Sequence, residues 1–189
     1  MNPKRIVITG GPGTGKTSVI KALETMGFYS FHEIIRTMTS AAKKQGNSEE
    51  FITNPLTFVS DPYLFNQKLL RGRVDQFHSA STLKDPVVFY DRGIPDVLAY
   101  MDYFKQEFDE EFTSACSKNL YDQVLLLPPW QAIYKSDNER LESFEQAIEI
   151  HSHLDSTYKS FGYTPKIIPE GTVEERTAYI LSSVNTKDD

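Results

Sequence analysis

The sequence predicts a three-layer α/β fold in which about five parallel strands lie between helices on both faces. Three observations support this prediction. Short apolar runs rich in Val, Ile and Leu alternate along the chain with longer segments of helical periodicity. These runs lack strict alternation of polar and apolar residues, as is typical of parallel strands buried on both faces. No internal repeat or low-complexity stretch interrupts the order. We therefore expect residues 1–184 to form one domain and 185–189 a frayed tail.

The predicted elements follow one another in the order that this fold class requires. Strands are expected at 5–9, 28–32, 87–90, 123–127 and 166–168. Helices are expected from 16 to the glycine at 27, at 34–44, 61–81, 94–118 with a break near 107, 141–159 and from 172 onward, whereas 47–60 fits no element. Strands that alternate with helices in this way form a parallel sheet.

Local signals define several helix boundaries. Gly27 is a suitable residue to end the first helix, because glycine adopts the left-handed conformation of a helix C-terminus. Asp61 and Pro62 are a favourable pair for the N-cap and first position of the long third helix. Thr172 and Glu175 have the spacing of a capping box, which is expected to open the last helix.

Composition excludes several classes of protein. The 20 Lys and Arg residues against 26 Asp and Glu residues leave a net charge of −6, which argues against broad nucleic-acid binding. Cys116 is the only cysteine, so a disulfide framework is excluded and this thiol is expected to pack in the core. The longest apolar run, 124–127, is too short to span a bilayer, and no signal-peptide segment precedes the first strand. We expect a cytoplasmic protein with no membrane span.

The strongest motif is GGPGTGKT at residues 10–17, a full match to G-x-x-x-x-G-K-[ST] between a strand and a helix. This Walker A sequence, or P-loop, lets successive backbone amides converge on a phosphate chain at a helix N-terminus. Lys16 is expected to reach the phosphates of ATP, and the hydroxyl of Thr17 to ligate Mg²⁺. The predicted nucleotide-binding residues are Gly10, Gly11, Gly13, Thr14, Gly15, Lys16, Thr17 and Ser18. The motif makes the fold a P-loop NTPase.

Asp91 ends the apolar run VVFY and is the second candidate. The carboxyl end of a parallel strand faces the ligand crevice, so this carboxylate is expected to hold Mg²⁺ together with Thr17. Arg92 follows directly and is a candidate for binding phosphate or the acceptor. Two alternatives stay open: Asp91 caps a turn, or Asp91 and Arg92 form a structural ion pair.

Glu33 and Arg36 follow the second predicted strand at a spacing of i, i+3, which places both on one helical face. Glu33 is a candidate to accept a proton from an acceptor hydroxyl, and Arg36 to bind an anionic group. An intrahelical ion pair is the equally weighted alternative. The charged segment with Lys135, Asp137 and Arg140 is expected to form a lid over the triphosphate, with Arg140 as its catalytic arginine. A solvated charged loop is the alternative for this segment.

These motifs resemble those of the P-loop kinase-like family of AAA-type ATP-binding domains, which is related to the ribosylnicotinamide kinase domain of NadR. The resemblance covers nearly the whole chain and rests on ITGGPGTGKT (8–17), HEIIR (32–36), VVFYDRG (87–93), DNER (137–140) and GYTPKIIPEGTVEER (162–176). It implies that Glu33 and Asp91 surround metal and acceptor, that Arg92 and Arg140 face phosphate, and that 169–172 flanks the nucleotide base. The chain lacks the second signature region of ring-forming motors, so we do not expect a hexameric unfoldase.

Two hypotheses of function follow. The first is a Mg-ATP-dependent phosphotransferase that acts on a small hydroxylated, nucleoside-like metabolite. In this hypothesis Glu33 or Asp91 positions the acceptor hydroxyl, and the predicted catalytic residues are Lys16, Glu33, Asp91, Arg92 and Arg140. The predicted acceptor-binding residues are Glu33, Arg36 and Arg92. The second hypothesis is an ATPase or nucleotide-dependent switch with a protein or lipid partner. No N-K-x-D motif precedes the last strand, which favours ATP over GTP.

Overall fold

The computed structural model describes residues 2–35, 61–134 and 142–185, and within them it contains five strands and six helices. The strands are β1 (Lys4–Gly10), β2 (Tyr29–Phe31), β3 (Val87–Asp91), β4 (Gln123–Leu127) and β5 (Lys166–Ile167). The helices are α1 (Lys16–Thr25), α2 (Pro62–Ser79), α3 (Pro95–Tyr103), α4 (Glu110–Lys118), α5 (Phe144–Ser160) and α6 (Val173–Asn185). A short 3₁₀ turn, Ala80–Thr82, continues α2.

The five strands form one parallel sheet in the order β2-β3-β1-β4-β5. The central strand β1 lies between β3 and β4, with Ile8 opposite Asp91 on one side and Gly10 opposite Leu127 on the other. The carboxyl ends of these three strands therefore meet at one edge of the sheet. Ligands of open α/β sheets bind at this edge.

Helices cover both faces of the sheet, which confirms the predicted three-layer architecture. On the face covered by α2, α3, α4 and α5, the strands contribute Val7, Val88, Tyr90, Val124 and Leu126 to the core. On the face covered by α1 and α6, they contribute Ile6, Ile8, Phe89, Leu125 and Leu127. Alternate residues of each strand are thus buried on opposite sides, which explains why the strands read as continuous apolar runs.

The capping signals at two helices are confirmed. The Asp61 side chain accepts a hydrogen bond from the backbone N–H of Leu64 at 2.9 Å, with Pro62 at the first position of α2. Before α6, the N–H of Glu175 donates to Thr172 Oγ1 at 3.2 Å, and the N–H of Thr172 donates to Glu175 Oε2 at 2.8 Å. The predicted break within 94–118 is also present, between α3 and α4.

Some predicted boundaries are wrong. The helix expected at 141–159 begins at Phe144, because Ser143 and Gln146 form a capping box there. The long helix α2 ends at Ser79, and β2 and β5 are shorter than expected. Asn185 belongs to α6 rather than to a tail. Most of the helix expected at 34–44 lies outside the described residues. Among the described residues, no helix combines the length and apolar character that crossing a bilayer would require.

Candidate active site

The glycine-rich loop between β1 and α1 has a backbone conformation that depends on its glycines. Gly13 and Gly15 adopt φ angles of 72° and 82°, a left-handed conformation that glycine reaches without steric cost. Neighbouring side chains also lie close to both positions. A Cβ at Gly13 would lie 2.6 Å from the ring of Tyr134, and one at Gly15 would lie 2.8 Å from Nη1 of Arg176. The loop therefore needs glycine at both positions for conformation, and at Gly13 also for space.

Lys16, the first residue of α1, folds back across this loop. Its ammonium donates to the carbonyl oxygens of Gly10 at 2.8 Å and Gly11 at 2.9 Å. Burial, followed by the charge of Arg92, lowers the pKa of Lys16 to about 7. Three carboxylates oppose this shift: Asp91, Glu33 and Asp96. The ammonium thus lies within electrostatic reach of the charged groups that follow β2 and β3.

Thr17 and Asp91 carry oxygen donors of the kind that a magnesium site uses. Thr17 is partly exposed in the first turn of α1, and Asp91 is buried at the end of β3, opposite Ile8 of β1. Hydroxyl and carboxylate oxygens are hard donors of the kind that Mg²⁺ prefers, so these residues fit the ion. Within the described residues, no group of three His, Cys, Asp or Glu could hold a metal by itself. Mg²⁺ is commonly held by one or two carboxylates together with substrate phosphates and water.

Glu33 is buried between two arginines. Its Oε1 accepts a hydrogen bond from Nη2 of Arg73 at 2.9 Å, and its Oε2 forms an ion pair with Nε of Arg92. Arg73 comes from α2 and Arg92 from the turn after β3, so these partners are brought together by the fold. The partner expected from local spacing, Arg36, lies outside the described residues.

Arg92 has an unusual backbone conformation for a residue with a side chain. Its φ of 74° lies in the left-handed region, which costs about 1–2 kcal/mol for a non-glycine residue. Its guanidinium pairs with Glu33 and, at 3.3 Å, with Asp96, and lies 5.0 Å from the ring centre of Tyr100. These contacts surround Arg92 with the groups that follow β2 and β3. The phosphate-facing role implied by the resemblance stays a prediction.

The sequence analysis assigned no role to two residues of this cluster. Arg73 is only 3% exposed and also donates to the carbonyl of Gly93 at 2.8 Å. It lies three residues after Leu70 and four after Leu69, on the apolar face of α2, and this helical spacing was the available signal. Asp96 is fully buried and pairs with Arg92, four residues earlier. An i, i+4 spacing was the only local sign of this pair.

Arg176 of α6 links the C-terminal helix to the P-loop. Its Nη1 donates to the carbonyl of Thr14 at 2.9 Å, and its Nε donates to that of Thr172 at 3.4 Å. The guanidinium also lies 5.9 Å from the ring centre of Trp130. Arg176 thus connects the loop, the segment before α6 and the segment after β4. The predicted lid residues Lys135, Asp137 and Arg140 lie outside the described residues.

The sheet order, the two helical layers and the glycine-rich loop after the central strand define a P-loop domain of the kinase-like type. The sequence model of the AAA domain family matches residues 5–176. The chain therefore belongs to this family, in agreement with the resemblance drawn from the motifs. No curated protein matches the chain.

Solved structures share the fold over almost the whole chain. Deoxyadenosine kinase from M. mycoides, with the products dCMP and a flexible dCDP bound, has a TM-score of 0.64 at 16% identity and covers 96% of this chain and 98% of its own. NadR in complex with NAD and AMP-PNP has a TM-score of 0.65 at 17% identity, and the match covers 97% of this chain but 49% of that chain. Thymidylate kinase from Ehrlichia chaffeensis has a TM-score of 0.62 at 12% identity, covering 98% of this chain and 100% of its own. At these identities the likeness concerns the fold.

Proposed function

We propose that the protein is a Mg-ATP-dependent phosphotransferase that acts on a hydroxyl group of a small, nucleoside-like metabolite. One observation carries the proposal: a buried carboxylate, Glu33, is held by Arg73 and Arg92 within electrostatic reach of the P-loop lysine. A P-loop alone suits any NTPase, whereas an oriented carboxylate beside it suits a reaction with an acceptor hydroxyl. The kinases that share this fold support the same choice.

The donor side of the reaction belongs to the loop and α1. Lys16 and the backbone amides of the loop would bind the phosphates, and Thr17 and Asp91 would hold Mg²⁺. The metal would neutralise charge on the phosphate oxygens. Lys16 would transfer its ammonium hydrogen bonds from the Gly10 and Gly11 carbonyls to phosphate oxygens, which are stronger acceptors.

The acceptor side belongs to Glu33. Each of its oxygens is occupied by one arginine contact, but a carboxylate has about four acceptor positions. Glu33 therefore retains the capacity to accept a hydrogen bond from a substrate hydroxyl. Because two arginines fix its orientation, that hydroxyl would be held in one direction relative to the P-loop. Such positioning is the main contribution of the protein to phosphoryl transfer.

Phosphoryl transfer from Mg-ATP to a panel of nucleosides, mononucleotides and cofactor precursors tests the proposal directly. Nucleotide binding is followed in parallel by the fluorescence of Trp130, the only tryptophan of the chain. We expect one compound to accelerate ADP release and to gain a phosphate by mass. Slow ADP release that no compound stimulates would instead favour the ATPase or switch hypothesis.

Matched variants separate the roles of the two sides. Lys16→Ala should abolish turnover and weaken nucleotide binding, whereas Lys21→Ala, at an exposed position of the same helix, should change neither. Glu33→Gln should keep nucleotide binding but lower turnover by about 100-fold or more. Glu24→Gln, at a carboxylate that pairs with His32, should not lower turnover. Unchanged turnover in folded Lys16→Ala would refute the proposal.

A further inference from the structure

We propose that Asp96 is a positioning residue that fixes Arg92, and through Arg92 the Glu33 carboxylate, relative to the P-loop. The kinetic consequence of this role rests on the proposed function, whereas the structural role does not. Asp96 would contact neither nucleotide nor acceptor, since it is fully buried at the start of α3.

The carboxylate of Asp96 is the meeting point of four donors. Its Oδ1 accepts from the hydroxyl of Thr9 at 2.5 Å and from Nη1 of Arg92 at 3.3 Å. Its Oδ2 accepts from the backbone N–H of Gly93 at 2.9 Å and from the hydroxyl of Tyr158 at 2.5 Å. Two of the four donors, the Arg92 guanidinium and the Gly93 amide, belong to the turn that carries Arg92.

This turn needs such support because Arg92 is left-handed. A residue with a Cβ stays in this conformation only where its surroundings hold it there. The backbone N–H of Arg92 donates to Ile8 of β1 at 3.1 Å, and the carbonyl of Gly93 accepts from Arg73 at 2.8 Å. The Gly93 amide donates to Asp96, and the Arg92 guanidinium, whose Nε pairs with Glu33, is held at Nη1 by Asp96. Asp96 therefore stabilises the turn through two hydrogen bonds, one from Arg92 and one from Gly93.

The same carboxylate also connects the turn to the P-loop. Thr9 is the residue directly before Gly10, where the loop begins, and its hydroxyl shares Oδ1 of Asp96 with Arg92. A single oxygen atom thus joins the strand that carries the phosphate-binding loop to the arginine that holds Glu33. Phosphoryl transfer requires donor and acceptor groups to keep their spacing to within a fraction of an ångström.

Asp96 is well suited to remain charged in this buried place. Burial raises the pKa of its carboxyl, but the charges of Arg73 and Arg92, with the hydrogen bonds from Thr9 and Tyr158, bring that pKa below its ordinary value. The negative charge is therefore present when Arg92 needs it. The neutral isostere asparagine would place an amide N–H₂ against two donors and remove the charge.

Hydrogen exchange of the Arg92 side-chain Nε–H, observed by ¹⁵N NMR, tests the structural role without any enzymatic assay. We compare Asp96→Asn with Asp102→Asn, because Asp102 also lies on α3 and also contacts α5, through His153 at 2.6 Å, but lies outside the site. Asp96→Asn should accelerate the exchange of the Arg92 Nε–H by about tenfold or more, and Asp102→Asn by less than about twofold. If the exchange rate of the Arg92 Nε–H in folded Asp96→Asn equals that of the wild type, the proposal is overturned.

A second pair of variants keeps the proposal testable where Asp96→Asn does not fold. Thr9→Val removes one donor to Asp96 at nearly constant volume, whereas Thr9→Ser retains the hydroxyl. We expect Thr9→Val to accelerate exchange of the Arg92 Nε–H severalfold and Thr9→Ser to restore the wild-type rate. Equal exchange rates in the two variants would contradict a link from Thr9 through Asp96 to Arg92.

Kinetics of the active enzyme then test the functional consequence. Asp96→Asn should lower kcat by about tenfold or more with little change in the KM for ATP. It should have no further effect in an Arg92→Gln background, because both changes remove the same positioning. Additive losses would refute action through Arg92. If the wild type transfers phosphate to no compound, the proposed function fails, and the exchange measurement still decides the role of Asp96.

Discussion

Replacing Lys16 with methionine should change how the stability of the protein depends on pH. In the folded protein, burial and then the charge of Arg92 lower the pKa of Lys16 from 10.5 to about 7. The unfolded chain regains the ordinary pKa, so between these two pH values the unfolded state binds more protons than the folded state. The free energy of unfolding contributed by Lys16 therefore rises with pH across this window. Methionine has a similar length and no charge, so the variant lacks this dependence.

The structure gives the size of the effect. A shift from 10.5 to about 7 corresponds to at most about 5 kcal/mol, at about 1.4 kcal/mol per pH unit. About 4 kcal/mol of that difference falls between pH 6 and pH 10, because most of the titration lies between the two pKa values. The residue as a whole is partly exposed, but its ammonium is enclosed against the carbonyls of Gly10 and Gly11. Contact with solvent along the stem reduces the effect without reversing its sign.

Urea unfolding at a series of pH values, followed by the fluorescence of Trp130, measures this difference. The free energy of unfolding of the wild type minus that of Lys16→Met should increase with pH by several kcal/mol. Lys21→Met is the control, because Lys21 is exposed on the same helix, and its difference from the wild type should stay flat. The error of the extrapolation is about 1 kcal/mol. If the difference in the free energy of unfolding between the wild type and Lys16→Met varies by less than about 1 kcal/mol across the pH series, the ammonium of Lys16 is not enclosed.

Two further predictions concern the crowding of Gly13 in the P-loop, with Gly27 after α1 as its comparison, and the single thiol. Gly27→Ala, at a φ of 92° in open space, should lower the free energy of unfolding by about 1–2 kcal/mol. Gly13→Ala combines a φ of 72° with a Cβ 2.6 Å from the ring of Tyr134. It should therefore lower the free energy of unfolding by at least about 1 kcal/mol more than Gly27→Ala does. Equal losses for the two variants in urea unfolding would contradict crowding by Tyr134. Burial raises the pKa of Cys116 to about 12, so a thiol reagent at pH 8 should label it only as fast as the protein unfolds. Rapid labelling of the folded protein would disprove that burial.

Most of the fold could be predicted because its signals are local. The apolar strands, the Asp61 cap of α2 and the capping box before α6 depend on residues within a few positions of one another. The predicted start of α5 was wrong, because helical periodicity in the sequence continues back to Leu141, whereas the helix begins after a capping box at Ser143. At this helix, the Ser-x-x-Gln sequence is a stronger signal for the first residue than helical periodicity is.

The candidate site divides in the same way. The positions of the P-loop and Asp91 could be predicted, because the loop directly follows β1 and Asp91 is the last residue of β3. The partner of Glu33 could not, because Arg73 lies 40 residues away in sequence and only the packing of α2 on the sheet brings it close. Local spacing proposed Arg36 instead. Sequence rules evaluate neighbours on one helix well, but they do not compare them with partners that the tertiary fold supplies.

The balance of charge behind the P-loop is itself informative. Glu33 and Asp96 carry two negative charges, and Arg73 and Arg92 carry two positive charges, all four being buried or nearly so. Removal of one member of such a cluster typically costs about 3–5 kcal/mol, yet replacing a whole buried ion pair with apolar residues is often neutral or stabilising. Stability alone is therefore a weak reason for four buried charges at this place. Their directional contacts, which fix the orientation of the Glu33 carboxylate, are a stronger reason under the proposed function, because apolar side chains of the same volume could not orient a substrate hydroxyl.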